Sequence, residues 1–175
     1  TFREESPVPT EFRKRRDQAR RERTRHRLLD AALRTFVVHG YHRTLVSDIV
    51  AEAGVGQGTF YRYFRDKRAI LETLLEGLLQ QLFDEFSDMS ANLPQSVTEY
   101  RDASLSAISR AARVVEQNRE LCVIFLREAH AVDEEVSPLV TEVYERLARL
   151  AGYYLEHAIR AGFARPCDVE IVSRA

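Results

Sequence analysis

Apolar residues recur at spacings of three and four along most of this chain, which is the periodicity of amphipathic α-helices. The longest stripe consists of Ile70, Leu71, Leu74, Leu75, Leu78, Leu79, Leu82, Phe83 and Phe86. It predicts a helix long enough to join an N-terminal domain to a C-terminal one and to transmit a shift between them. Because alternating β-branched positions are few, the pattern predicts an all-α protein.

Residues that favour helix ends divide the rest of the chain into further helices. The predicted spans are residues 24–39, 45–53, 57–64, 97–117, 119–131 and 137–161, with one more beginning at Asp168. Thr44, Asp66 and Asn118 are predicted to cap the helices that follow them. Residues 87–96 form the first long break in the pattern and predict a domain boundary.

The predicted helix at residues 57–64 has two contrasting faces. Its apolar face consists of Phe60, Tyr63 and Phe64, at spacings of three and four. The opposite face consists of Gln57, Thr59, Arg62 and Arg65. A short helix with an apolar back and a front of hydrogen-bond donors and cations has what is required to read a DNA groove.

Charge is divided unequally between the two parts of the chain. The first 70 residues carry 16 Lys and Arg against 9 Asp and Glu, whereas the remainder carries 10 against 18. Nine of the basic residues lie between Arg13 and Arg27. They predict an N-terminal arm that lies along or in the minor groove of DNA, with a solvated helical extension as the alternative.

Neither catalytic nor metal-binding chemistry is indicated by the residue pattern. Cys122 and Cys167 are far apart and lack a CxxC spacing or paired histidines, which argues against a zinc site or a disulfide. His130 precedes three acidic residues at 133–135, an arrangement more typical of a solvated helix end than of a metal site. No nucleophile elbow or glycine-rich phosphate loop is found. We therefore expect that the protein is not an enzyme and binds no cofactor.

The sequence also lacks features of membrane targeting. No apolar run reaches the length of about 18 residues that a membrane-spanning helix needs. No basic and then apolar signal segment is found. The expectation is therefore a cytoplasmic protein without membrane contact.

Residues 24 to 72 resemble the N-terminal signature of the TetR family of bacterial transcriptional regulators. The positions that match, in order and without a gap, are Thr44, Asp48-Ile49, Ala53-Gly54-Val55, Gly58-Thr59-Phe60-Tyr61, Tyr63-Phe64 and Lys67. Two positions depart from the family pattern, because Leu45 stands where a second Thr is common and Val50 where Ala is common. The resemblance implies a helix-turn-helix head, with a basic arm at residues 1–22, a DNA-binding domain at 23–68 and an effector-binding and dimerisation domain at 69–175.

The resemblance also implies roles for individual residues. The DNA-binding candidates are Thr44, Ser47, Gln57, Gly58, Thr59, Tyr61, Arg62, Tyr63 and Lys67. Among them, Gln57, Gly58, Thr59 and Arg62 match groove-facing positions, and Thr44, Tyr61, Tyr63 and Lys67 match positions that hold phosphates. For Tyr63, packing in the core is an equally good interpretation.

A small apolar or amphipathic effector is implied for the C-terminal domain. Its candidate ligands are Tyr100, Ile108, Phe125, Tyr144, Leu147 and Tyr154, although their spacing alone is what any helical core shows. Family members usually continue with two long helices of a dimeric four-helix bundle, so either this sequence is a fragment or its dimer is unusual.

The predicted function is therefore a ligand-responsive regulator, a repressor that binds palindromic double-stranded operator DNA as a homodimer. The competing hypothesis is a helical enzyme or protein-interaction module whose basic front binds acidic partners. That alternative gives no reason for Gln57, Thr59 and Arg62 to be exposed opposite two packed phenylalanines.

Overall fold

The computed structural model describes residues 10–91, 94–130 and 137–174. Its helices are α1 (Thr10–His39), α2 (Val46–Ala53), α3 (Gln57–Phe60), α4 (Lys67–Ala91), α5 (Val97–Gln117), α6 (Arg119–His130), α7 (Ser137–Arg160) and α8 (Val169–Arg174). No strand occurs in these ranges, so the predicted all-α class is confirmed. None of the described helices is long and apolar enough to cross a bilayer. The acidic residues 133–135 after His130, and residues 92–93 of the predicted break, lie outside the described ranges.

The chain divides into two compact units, Thr1–Leu71 and Glu72–Ala175. We call them the head and the body. In the head, α1 packs against α2, and α2 packs against α3. The side chains that fill this core include Leu28, Phe36, Tyr41, Ile49 and Phe60, all fully buried. Burial of large apolar side chains is the main stabilising contribution in so small a unit.

Helix α1 begins fourteen residues before its predicted start. The helix runs without interruption from Thr10 through the segment that was predicted to be a separate basic arm. Residues 12–23 are all exposed, so this extension forms no part of the head core. The described part of the arm is therefore a helical extension of α1 and not a loose segment.

The start of α2 differs from the prediction, since Leu45 and not Thr44 is the N-cap. The Asp48 carboxylate accepts a hydrogen bond from the Leu45 amide at 2.8 Å, so it satisfies an amide that the helix leaves unpaired. The Thr44 hydroxyl is turned inward instead and donates to the Gly40 carbonyl at 2.8 Å. Gly54 ends α2 as predicted, with a φ of 62° in the left-handed region that glycine adopts at little cost.

Helix α3 is shorter than predicted, because regular α-helix ends at Phe60 and not at Phe64. The chain continues in hydrogen-bonded turns, with the Tyr63 and Phe64 amides both donating to the Phe60 carbonyl at 2.8 and 3.0 Å. Asp66 then caps α4 as predicted, accepting from the Ala69 amide at 2.7 Å. These turns keep the apolar back of α3 facing the core.

Helices α5 to α8 of the body lie within a few residues of their predicted bounds. Asp168 caps α8 as expected, accepting from the Ile171 amide at 3.2 Å. Asn118 acts differently, since its side-chain amide donates to the Val114 carbonyl at 2.8 Å and so completes the end of α5. An ion pair of 2.8 Å between Arg110 and Glu85 links α5 to α4, and both side chains are about two-thirds buried.

Candidate nucleic-acid interface

Residues 57–64, which comprise α3 and the turns after it, have one buried and one exposed side, as the sequence predicts. Phe60 and Phe64 are buried, with ring centroids 5.9 Å apart, and they fix the back of the helix in the head. Gln57 and Arg62 are exposed, and Thr59 is half-buried. An added Cβ at Gly58 would meet nothing within 4 Å, so this part of α3 presents open backbone to a ligand. The exposed side therefore combines an amide, a guanidinium and accessible backbone.

The turn between α2 and α3 sets the direction of this surface. The Val55 amide donates to the Val50 carbonyl at 3.0 Å, closing α2 after Gly54. Arg27 of α1 donates to the Ala53 carbonyl at 2.5 Å and so ties α1 to the last residue of α2. Two helices joined by a short turn that contains glycine, with the second helix exposed, form a helix-turn-helix.

Thr44 and Lys67, which were expected to contact phosphates, direct their polar groups into the head instead. Thr44 is fully buried, and its hydroxyl bonds the carbonyls of Thr35 and Gly40, so its side chain does not reach the surface. Lys67 donates to the carbonyls of Tyr41, His42 and Thr44 at 2.9, 2.9 and 3.2 Å. Since an ammonium group has three donors, all of them are used inside the head. Both residues hold the loop between α1 and α2.

The remaining DNA-binding candidates of the head differ in solvent exposure. Ser47 is exposed in the first turn of α2. Tyr61 is 57% exposed, and its ring packs edge-on against Phe60 with centroids 5.4 Å apart. Tyr63 is half-buried, which leaves both interpretations of this residue open. Ser47 and Tyr61 are thus accessible to a phosphate, and Tyr63 is partly so.

Four of the six effector candidates line one cavity of about 360 Å³ in the body. Tyr100 and Ile108 come from α5, and Leu147 and Tyr154 from α7. The Tyr100 hydroxyl donates to the Tyr154 carbonyl at 3.4 Å. The lining is mostly apolar, with the hydroxyls of the two tyrosines and of Ser104 as its polar groups. Such a cavity suits a ligand with a large apolar part.

The other two effector candidates lie outside this cavity. Phe125 lines a smaller apolar space of about 180 Å³ together with leucines of α4, and Leu147 borders both spaces. Tyr144 is 54% exposed and packs on Phe125, with ring centroids 6.3 Å apart. The structure therefore brings Phe125 close to the cavity through Leu147 and leaves Tyr144 at the surface.

Burial changes the acidity of two groups beside these spaces. It raises the pKa of the Tyr154 phenol, and the neighbouring Tyr153 and Tyr100 phenols raise it further. Burial also raises the pKa of the Cys122 thiol, partly offset by a backbone hydrogen bond. Both groups therefore remain neutral at neutral pH, which preserves the uncharged character of the lining.

Sequence reasoning missed three residues that line the larger cavity, namely Ser104, Leu150 and Ala151. A signal for them was present, because Leu147, Leu150, Ala151 and Tyr154 follow the spacing of one face of a helix. Among the described residues, no group of three His, Cys, Asp or Glu side chains is placed to hold a metal ion.

These features define a class of protein: an all-α, helix-turn-helix DNA-binding protein with a separate helical body. Comparison with known proteins gives the family. The family model described as "Bacterial regulatory proteins, tetR family" matches residues 28–74. Residues 28–74 thus match the DNA-binding domain of the TetR family of bacterial transcriptional regulators, as the sequence resemblance implies.

Three similar proteins extend the likeness beyond the head. The chain is 25% identical over 135 residues to the fatty acid metabolism regulator protein of Bacillus subtilis, covering 77% of this chain and 68% of the relative. It is 26% identical over 152 residues to the HTH-type transcriptional repressor KstR2 of Rhodococcus jostii, with coverages of 86% and 72%. A crystal structure of a TetR-family regulator from Syntrophomonas wolfei superposes with a TM-score of 0.76 at 26% identity, covering 87% and 76%. All three are regulators, and this chain is a transcriptional regulator and not an enzyme.

Proposed function

We propose that this protein is a repressor that leaves a palindromic operator when a small apolar or amphipathic effector binds to its body. The observation that carries the proposal is the arrangement of α3 and the turns after it, in which Gln57 and Arg62 are exposed and Phe60 and Phe64 are buried in the head. A homodimer would place two such helices in successive major grooves. In this proposal residues 23–68 bind DNA, residues 69–175 bind effector and form the dimer, and the protein acts in the cytoplasm.

The proposed contacts divide into base readout and phosphate binding. Arg62 donates two hydrogen bonds to a guanine edge and Gln57 pairs with an adenine, since these side chains match those base edges. Thr59 contacts a thymine methyl group, and the open backbone at Gly58 allows close approach. The proposed phosphate contacts are made by exposed Ser47 and Tyr61 and by half-buried Tyr63. Such contacts position the head without reading sequence.

The proposed effector site is the cavity formed by Tyr100, Ile108, Leu147 and Tyr154. Its apolar walls and neutral hydroxyls favour a ligand with a long apolar part and one or two polar atoms. The similarity to a regulator of fatty acid metabolism supports the same chemical class. Phe125 is proposed to take part from the adjoining space.

The decisive experiment measures base preference and affinity together. Operators are selected from a randomised duplex library with the wild-type protein, and binding of single-base variants is then measured by anisotropy at fixed salt. We expect Arg62→Ala to weaken the best operator by about 1 to 3 kcal/mol and to relax the preference at one base pair in each half-site.

Arg62→Lys is the matched variant, because it keeps the positive charge and loses the planar fork of donors. If Arg62 reads a base, the lysine variant loses the same preference as the alanine variant. If lysine restores binding and alanine weakens all duplexes equally, Arg62 is a phosphate contact and the assignment is wrong. Failure of the wild-type protein to select any duplex would overturn the proposed function itself.

A further inference from the structure

An arginine stripe runs along the N-terminal half of α1. It consists of Arg13, Arg16, Arg20, Arg23 and Arg27. The steps between them are three, four, three and four residues, so a helix with 3.6 residues per turn keeps all five on one face. Of the acidic residues in this segment, Glu22 lies on another face, whereas Asp17 lies at the edge of the stripe, four residues after Arg13 and three before Arg20.

The first four arginines of the stripe are available for an external partner. Each is exposed, and no carboxylate within the described part of the chain forms an ion pair with them. Five like charges on one helical face repel one another, which disfavours the helix unless a polyanion neutralises them. The charge pattern of the stripe is therefore complementary to a polyanion with regularly spaced negative charges.

Two contacts attach the C-terminal end of the arginine stripe to the head. Arg27, its last member, is bonded to the Ala53 carbonyl just before the turn into α3. On the opposite face of α1, the Arg25 guanidinium lies 5.8 Å from the centroid of the Phe64 ring, just after α3. The N-terminal part of α1 therefore extends from a point that contacts residues on both sides of α3 in the sequence, Ala53 before it and Phe64 after it. From Arg13 to Arg27 the helix is about 21 Å long, comparable to six base pairs of B-DNA.

We propose that the arginine stripe is a second DNA-binding surface, which lies as a rigid helix along the phosphate backbone next to the sequence that α3 reads. It differs from a flexible arm in the minor groove, because its spacing and direction are fixed by the continuity of α1. The stripe supplies affinity and lengthens the protected DNA, whereas base preference stays with α3. This inference rests on the proposed function.

The test compares two variants that remove equal charge from the same helix. The stripe variant is R13Q/R16Q/R20Q, and the control variant is K14Q/R15Q/R21Q, which alters other faces of α1. The slope of log K against log salt is measured with the selected operator for each. For the stripe variant we expect the slope to fall by about 0.9 for each lost contact, up to about 2.7 per head, with an unchanged base preference. For the control variant we expect a fall of less than about 1.

Gln18→Pro tests the helix itself, because it interrupts α1 in the middle of the stripe and keeps every charge. We expect it to flatten the salt dependence as the stripe variant does and to shorten the footprint. Wild-type binding by Gln18→Pro would show that a flexible basic arm suffices and would overturn the proposal. Equal losses in the stripe and control variants, or no loss in either, would overturn it as well. If no duplex is selected by the wild-type protein, the proposed function has failed instead.

Discussion

At the scale of single residues, the structure separates polar groups that serve DNA from polar groups that serve the head. Thr44 and Lys67 have the residue types expected at a phosphate, yet their donors are directed to backbone carbonyls inside the unit. These donors help to satisfy the carbonyls of the loop between α1 and α2, of which those of Gly40 and Tyr41 also accept from the Thr44 amide. Buried or half-buried carbonyls without a donor cost free energy, so this internal use is strongly favoured.

Replacement of Lys67 by methionine should loosen the head. The change removes three hydrogen bonds to carbonyls and a cation–π contact of 4.6 Å with Tyr41, while it keeps most of the apolar stem. Because the group is partly exposed, we expect a loss of about 1 to 2 kcal/mol. Amide hydrogen exchange should speed up in peptides covering residues 36–50.

The other lysine of the chain, Lys14, provides the control. It is exposed in the N-terminal part of α1, so Lys14→Met makes the same chemical change without loss of an internal contact. Exchange at residues 36–50 should then remain as in the wild type. Equal acceleration by both substitutions would show that Lys67 is a surface cation and not an internal clamp.

At the scale of helices, Gly54 and Gly77 have opposite effects on stability. Gly54 ends α2 with a positive φ, which an L-residue with a Cβ adopts at a cost of about 1 to 2 kcal/mol. Gly77 lies inside α4 on its exposed side, and an added Cβ would meet nothing within 4 Å. Glycine in a helix interior is about 0.5 to 1 kcal/mol less favourable than alanine.

The two Gly→Ala substitutions should therefore shift stability in opposite directions. Gly77→Ala is expected to stabilise by about 0.5 to 1 kcal/mol, because it lowers the backbone entropy of the unfolded chain. Gly54→Ala is expected to destabilise by about 1 to 2 kcal/mol through strain at the end of α2. Urea unfolding followed by circular dichroism measures both. A destabilising Gly77→Ala would mean that α4 needs a flexible point at this residue.

At the scale of the whole molecule, charge and chemistry are divided between the two units. The basic residues are concentrated in the head, and the apolar cavity with its neutral hydroxyls lies in the body. Any communication between a ligand in one unit and DNA on the other is a coupling free energy and must act equally in both directions. The factor by which effector weakens operator binding must therefore equal the factor by which operator weakens effector binding.

We expect a long-chain fatty acid, palmitate, to weaken operator binding by a factor of about 5 to 150, and the operator to weaken palmitate binding by the same factor. Both constants are measured by titration with the second ligand absent or saturating. Ala151→Trp fills the cavity and should abolish the effect while operator affinity stays unchanged. Ala112→Trp, at an exposed residue of α5 outside the cavity lining, is the control and should retain it. Unequal factors would exclude simple coupling, and an unaffected Ala151→Trp would exclude this cavity as the effector site.

Local patterns in the sequence predict the helices, most of their ends and the two sides of residues 57–64. These features are local: a period of 3.6 residues, a capping carboxylate at Asp66 or Asp168, and a glycine at the end of α2 act within a few neighbouring residues. The contrast between buried Phe60 in α3 and exposed Arg62 in the turn after it follows from the same periodicity.

The direction of the polar side chains and the contacts between distant residues depend on tertiary packing. Lys67 reaches carbonyls that lie 23 to 26 residues earlier, and Tyr100 meets Tyr154 across 54 residues, which no local pattern specifies. The basic segment is another case, since the same charges suit a loose arm or a helix. In the structure it is continuous with α1, and the contacts of Arg27 with Ala53 and of Arg25 with Phe64 attach the middle of that helix to the head. The partner of a long side chain is set by the packing of other elements, and the sequence records that packing only indirectly.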